Sequence, residues 1–409
     1  MRIAVHDYAG HPFVFELSRQ LARDGHEVMH LFFEGDPGPK GATQRKASDP
    51  DNLSIAPVQI RKPYRKDKML VRRAQDIEYG RNCGDAIISF KPDIIISGNT
   101  PIESQKRLVS AAKKIDSAFV FWMQDFYSLA IRELIGKRML GAGVVVAAIY
   151  ERLERSLLRR SDAVVIISDD FIFGLDKINV DHRKFHIINN WGAISEIPIV
   201  EKNNPWSRRM GLDSEYVILY SGTLGLKHDP MAICAIADHF ATDKSAKVVV
   251  SAVGAGFDAL RSELHLNPRP NLILNGLEPI ENLPDMLGTA DAFIALLEND
   301  AGRYSVPSKV LSYLCAGRPI ILSAPASNLS AKIVLEAGAG RVFEPGDHQA
   351  LVAAAEDLKR DAHIRLAMGA AGRRYAENSF DIEAIAKRFT SVFEAALEHR
   401  HPRKLAPTE

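Results

Sequence analysis

Short runs of β-branched and aromatic residues recur along this chain, separated by longer amphipathic stretches, and that alternation leaves few folds open. In the first half RIAV, HEVMHLFF, PDIIIS, SAFVFW, DAVVIIS and KFHII read as strands. Between them lie helical stretches such as Pro12 to Asp24, Pro101 to Lys114 and the long Leu129 to Arg160. The second half repeats the alternation with YVILYSG, KVVVSAV, NLILNG, DAFIALL, RPIILS and GRVFEP. Nearly continuous apolar strands joined by helices require a parallel sheet covered on both faces. The fold class is therefore α/β, with two Rossmann-like domains.

A chain of 409 residues suits two domains rather than one core. The segment Asn189 to Ser214 is rich in Asn, Pro and Gly and lacks periodicity, so the linker is placed there, with a boundary near residue 200. The expected division is 1–200 and 201–380, each Rossmann-like, and 381–409, a helix crossing back to the first domain and a frayed tail. Two or three helices are expected between Asp347 and His399.

A net charge of +1 argues against a surface built for nucleic acid. Cys83, Cys234 and Cys315 form no CxxC pair, which points away from disulfides and thiolate metal sites and toward a reducing cytosol. The opening MRIAVHDYAG has no signal-peptide core, and the apolar run Met139 to Tyr150 falls short of the roughly 20 residues that span a bilayer. A cytoplasmic protein is expected. The single D-x-D, Asp49-Pro50-Asp51, sits in a polar loop of the first half and reads as a solvated turn, so no essential metal is expected.

Ligands of parallel α/β sheets bind where strand ends feed helix N-termini. Three turns of the second half fit. In SGTLGLKHDP, Gly222 lets backbone amides approach an anion, Lys227 supplies a cation, and Asp229 with Pro230 starts a helix; a generic strand-to-helix turn would look the same. VGAGFD, with Gly254 and Gly256, is a partial glycine fingerprint or a tight turn. RYSVPS precedes a helix that Ser305 or Ser308 can cap, either as ordinary capping or with its free N–H groups aimed at a pyrophosphate.

With these residues in view, the chain resembles the family 4 glycosyltransferases, especially the bacterial branch that builds O-antigen, capsule and exopolysaccharide. The likeness runs through YERLERSLLRRSDAVVIIS, KFHIINNWGAISEI, YSGTLGLKHDP, VGAGF and, most specifically, PSKVLSYLCAGRPII. It implies a GT-B fold, two Rossmann-like domains facing a cleft, and a retaining transferase that uses a nucleoside diphosphate sugar. It assigns Lys227 to the diphosphate beside Gly222 and Thr223, places Gly254 and Gly256 along the nucleotide, and sets Leu277 at the base. Ser305, Pro307, Ser308 and Lys309 would hold the distal phosphate and the sugar. Tyr8, Gln124 and Asp125 fall on the acceptor side, with Gln124 where the wider family often has histidine; His11 would orient the acceptor or the departing phosphate. Asp125 reads equally as a helix N-cap, and His11 as a surface residue.

The sequence departs from the family at Ser305 and Ser312, serines where the resemblance leads one to expect a pair of glutamates, and in lacking the arginine that accompanies the phosphate lysine. Lys227 and Lys309, with Arg303 outside the motif, must then offset the diphosphate charge. The basic stretch Arg61 to Arg73 (RKPYRKDKMLVRR) reads as a contact for anionic lipid headgroups or as a solvated face. The stretch IRELIGKRMLGAGVVVAAIYERLERSLLRR reads as an interfacial helix or a core helix. A polyprenyl-diphosphate-linked or other glycan acceptor, and peripheral docking on the inner face of the plasma membrane, follow from the resemblance. A sugar-nucleotide epimerase and a non-catalytic binding subunit remain alternatives on the same fold.

Overall fold

The computed structural model describes residues 1–36, 38–65, 68–136, 142–176, 180–225, 228–298 and 308–401. The chain divides into two compact units, one formed by residues 1–190 with the C-terminal stretch from Ile382, the other by Trp191–Asp381.

The first unit carries β1 (Arg2–Asp7), β2 (Glu27–Phe33), β3 (Leu53–Val58), β4 (Ile94–Gly98), β5 (Ala118–Met123), β6 (Ala163–Ile166) and β7 (Phe185–Ile187). They form one sheet in the order β3-β2-β1-β4-β5-β6-β7, every neighbouring pair parallel. The second unit carries β8 (Tyr216–Thr223), β9 (Ala246–Val253), β10 (Leu272–Asn275), β11 (Ala292–Leu296), β12 (Ile320–Ser323) and β13 (Gly340–Phe343), ordered β10-β9-β8-β11-β12-β13 and also parallel. Both sheets are doubly wound. Strand order reverses between β1 and β4 in one and between β8 and β11 in the other, which is where such sheets open a crevice.

The structure corrects the sequence reading in several places. Strand β3 was not expected, because Pro57 interrupts LSIAPV; as an edge strand it needs no donor on its outer side, and Pro57 pairs in register with Phe32. A helix over Met69–Phe90 was also missed, and the basic stretch ending at Arg73 runs into its first turn. The single long helix expected from Leu129 to Arg160 is two, Tyr127–Gly136 and Ala142–Arg160. The D-x-D turn is solvated only at Asp51: Asp49 is buried against Arg19, whose Nε donates at 2.9 Å.

The unit boundary falls at Asn190/Trp191 rather than near 200, because the following residues are tied into the second unit. Arg373 donates to the Ile197 carbonyl at 2.9 Å, Arg318 to that of Val200 at 3.0 Å, and Lys202 pairs with Asp291 at 2.5 Å. Three helices follow β13: His348–Arg360, Ala362–Ser379 and Ile382–Arg400. The last packs on the first unit's sheet, with Phe389 edge-on to Trp122 and Arg388 donating to the Ile187 carbonyl.

Candidate functional site

The β1/β4 crevice of the first unit opens into a cavity of about 290 Å³. Its wall is assembled from the carboxyl ends of successive strands: Tyr8, Ala9 and His11 after β1, Asp36 after β2, Asn99 to Ile102 after β4, and Gln124, Asp125 and Tyr127 after β5. Tyr8, His11, Gln124 and Asp125, singled out in the sequence, therefore meet on one wall. Arg72, from the Met69–Phe90 helix, and Glu154, from Ala142–Arg160, complete it.

His11 precedes Pro12 at the start of its helix, so its backbone is set by the helix entry. Its Nδ1 lies 3.0 Å from Asp7 Oδ2, and Asp7 Oδ1 accepts from Asn99 Nδ2 at 3.0 Å. Burial opposes an imidazolium, but the Asp7 charge and hydrogen bonds outweigh it, with help from Asp36, and raise the His11 pKa above 6.5. Burial likewise opposes the Asp7 carboxylate, and the contacts of His11 and Asn99 hold it well below the usual range. With Nδ1 turned to the Asp7 carboxylate, the site favours the protonated imidazole.

At the start of the Tyr127–Gly136 helix Glu154 accepts from the Tyr127 amide at 2.9 Å and from the Ser128 amide and hydroxyl. Asp125 accepts from the Phe126 amide at 2.8 Å and is exposed toward the cavity. Burial raises the Glu154 pKa to about 7 despite its hydrogen bonds. Gln124 accepts from Asn190, and its buried amide nitrogen has no partner among the described residues. Behind the wall, Asp76 accepts from the hydroxyls of Tyr8 at 2.9 Å and Tyr64 at 3.3 Å, and lies 3.7 Å from Arg72. Asp7, Asp76 and Glu154 escaped the sequence reading: Asp76 and Glu154 meet Tyr8 and Tyr127 from far away in the chain, and Asp7, four residues before His11, sits within an apolar strand.

In the second unit β8 ends at Gly222 and Thr223. Gly222 has φ +105, which a Cβ would strain, and Lys309 Cε would lie 3.9 Å from such an atom. Lys309, in the first turn of the Ser308–Ala316 helix, donates to the Thr223 carbonyl at 3.0 Å and to the Tyr220 hydroxyl, and stands 3.7 Å above the Tyr220 ring. These acceptors are neutral, and burial lowers the ammonium to about 7. A lysine whose charge burial disfavours, held by neutral groups at a glycine bend, is suited to an incoming anion that would favour its charged form.

Gly254 and Gly256 follow β9, and backbone packing accounts for both glycines. A Cβ on Gly254, at φ +116, would meet the Leu224 carbonyl oxygen at 2.7 Å, and one on Gly256 would meet that of Gly225 at 2.9 Å. The Gly256 amide is spent on Leu224 at 2.9 Å. Asp229 caps its helix through the Met231 amide, with Pro230 following. Leu277 is half-buried in the loop after β10, Ser312 is half-buried one turn beyond Lys309, and Ser308 is exposed. Lys227, Arg303, Ser305 and Pro307 lie outside the described residues.

Two family models match in order: Glycosyltransferase Family 4 over residues 12–191 and Glycosyl transferases group 1 over 204–375. The doubly wound pair of sheets is the GT-B architecture. The chain belongs to the family 4 GT-B glycosyltransferases, and it is a glycosyltransferase. Solved structures share the fold. Sucrose-phosphate synthase from Thermosynechococcus elongatus is 14% identical, with 96% of this chain and 98% of that chain covered and a TM-score of 0.70. Anabaena HepE, solved in complex with UDP-glucose, is 13% identical over 97% and 100%, with a TM-score of 0.68. WaaG, a glycosyltransferase involved in lipopolysaccharide biosynthesis, is 14% identical over 96% and 99%, with a TM-score of 0.66. No curated protein matches the sequence.

Proposed function

We propose that this glycosyltransferase works with retention, moving a hexosyl or N-acetylhexosaminyl group from a UDP- or GDP-linked donor to a polyprenyl-diphosphate-linked or other glycan acceptor in cell-surface polysaccharide biosynthesis. The observation that carries this reading is the division of chemistry: a wall of carboxylates, amides and tyrosine in one unit, suited to sugar hydroxyls, and a lysine over a glycine bend in the other, suited to a diphosphate. The UDP-glucose complex of HepE and the lipopolysaccharide role of WaaG lend support by analogy.

In the reaction the sugar C1–O bond to the diphosphate breaks as the acceptor oxygen bonds to C1 on the same face, and the acceptor proton passes to the leaving phosphate oxygen. Lys309 and Lys227, with the amides around Gly222, take up the developing charge, so no metal is required. The His11 imidazolium and Asp125 orient the acceptor hydroxyl. Among the described residues no helix is long and apolar enough to cross a membrane. Docking on an anionic inner membrane face is assigned to the basic Arg61–Arg73 stretch and to the Ala142–Arg160 helix, where Val144, Val145 and Ile149 are exposed ahead of Arg152, Arg155 and Arg159.

A thermal-shift panel of nucleoside diphosphates tests the donor half of this reading. One nucleotide should raise the melting temperature selectively, and its sugar conjugates should release diphosphate when alkyl glycosides are added, with or without chelator. No shift with any nucleotide at millimolar concentration contradicts the proposal, and isomerisation of the nucleotide sugar without acceptor points to an epimerase.

A further inference from the structure

Tyr220 stands one pleat before Gly222 on β8, so both belong to the same face of the sheet. Its ring is buried in the second unit's core, but its hydroxyl is engaged at the strand's end, where it donates to the Thr223 carbonyl at 2.7 Å. That donation uses the phenol's one proton and leaves its lone pairs to accept from Lys309 Nζ. Nζ also donates to the same Thr223 carbonyl at 3.0 Å and stands 3.7 Å from the centre of the Tyr220 ring. Hydroxyl, carbonyl and ring face thus fix one nitrogen. An ammonium on a four-carbon stem otherwise samples many rotamers; here it is held beside the bend, with Cε 3.9 Å from the place of a Cβ on Gly222.

An ammonium carries three N–H donors and a neutral amine two. Tyr220 and Thr223 take two, so the donor that a ligand can use is the third, which comes with the charge. We propose that Tyr220 is a positioning residue of the donor site, its hydroxyl and ring face aiming the Lys309 ammonium so that the third N–H meets the diphosphate. This role deepens the donor reading and rests on it. Burial lowers the Lys309 pKa to about 7. An anion on the third N–H favours the charged form, so nucleotide binding above neutral pH takes up a proton. Among the described residues, the titratable groups around this nitrogen are Tyr220, which burial keeps as the phenol, Tyr313 one helical turn along, and His228. The Tyr313 hydroxyl accepts from the Ser221 amide at 2.8 Å; the His228 ring lies 6.4 Å from that of Tyr220, and its Nδ1 accepts from the Gly225 amide at 2.8 Å.

Calorimetry with UDP and with GDP on the full chain, Tyr220→Phe, Lys309→Ala and the double variant separates this role from a packing role. Phenylalanine keeps the buried ring and removes only the hydroxyl, and melting temperatures check the fold. Tyr220→Phe should weaken the better-binding nucleotide about tenfold. In the Lys309→Ala background the same change should cost less than about twofold. An equal loss in both backgrounds overturns the proposal, because packing does not depend on the lysine; so does wild-type affinity in Tyr220→Phe. Proton uptake is a second readout that needs no tyrosine variant. At about pH 8, in buffers of different ionisation enthalpy, the wild type should take up about one proton per nucleotide. Lys309→Arg, charged throughout, should take up almost none. No uptake by the wild type, or equal uptake by Lys309→Arg, also overturns the proposal. The two readings fail separately. Lys309→Ala at full wild-type affinity sinks the donor reading and this role with it, whereas a weakened Lys309→Ala beside an unaffected Tyr220→Phe sinks the positioning role alone.

Discussion

The two crevices differ in what builds them. In the first unit the wall is made of side chains from many distant segments, with His11 bound to Asp7 and Arg72 beside Asp76. In the second the strand ends carry a bend at Gly222, a close backbone approach at Gly254 and Lys309. An anion can be met by backbone amides and a single cation. Recognising hydroxyls takes many directional groups, each with its own partner.

Removing the cation should have the largest effect. Lys309→Ala is expected to lower kcat/KM for the donor about 10²-fold or more while leaving acceptor KM nearly unchanged, measured by initial rates with each substrate varied in turn. Damage to the acceptor wall should show the reverse pattern. Asp125→Asn and His11→Ala should each cost about 10- to 100-fold at saturating donor without changing the calorimetric affinity for nucleoside diphosphate. Equal losses on both sides in either experiment would erase the contrast.

How legible each crevice was in the sequence follows the same contrast. The strands were readable because parallel sheets write themselves as apolar runs, and β3 was not, because Pro57 hid it. The glycine turns and the P-S-K segment are local signals, so Gly222, Gly254 and Lys309 could be named in advance. His11 and Asp125 could be named, but not the partners that define them. Asp7 sits within an apolar strand, and Glu154 caps a helix that begins 27 residues earlier in the chain. Only the fold brings Glu154 there, whereas Asp7 lies four residues before His11. The long helix was overextended for the same reason: periodicity runs straight through 129–160, while the cap that starts the first helix comes from the second.

A smaller effect sharpens the role of the glycine turns. Gly254→Ala forces a Cβ against the Leu224 carbonyl at a left-handed backbone position, which should cost about 1–3 kcal/mol of stability in the second unit by denaturant melts.

The smallest effect concerns pH. His11 has a native pKa raised above 6.5, so the stability it adds is complete below that value and fades as pH climbs through the native pKa. Glu154, raised from 4.5 to about 7, also favours its protonated form when folded, and that contribution is lost as pH rises through about 7. The first unit should therefore weaken as pH rises from about 4.5 to 7 through Glu154, and further above 6.5 through His11. His11→Gln and Glu154→Gln should each flatten the trend, by on the order of 1 kcal/mol. Melting curves at fixed ionic strength check this, and a steeper trend in either variant would reverse the sign.

The central claim is that a nucleoside diphosphate binds the second unit's glycine bend and Lys309. Hydrogen exchange with and without saturating UDP or GDP tests it most directly. The account predicts new protection in peptides covering 220–225 and 308–312, lost in Lys309→Ala. Protection appearing instead at 8–11, 99–102 and 124–128, and surviving that substitution, would contradict it.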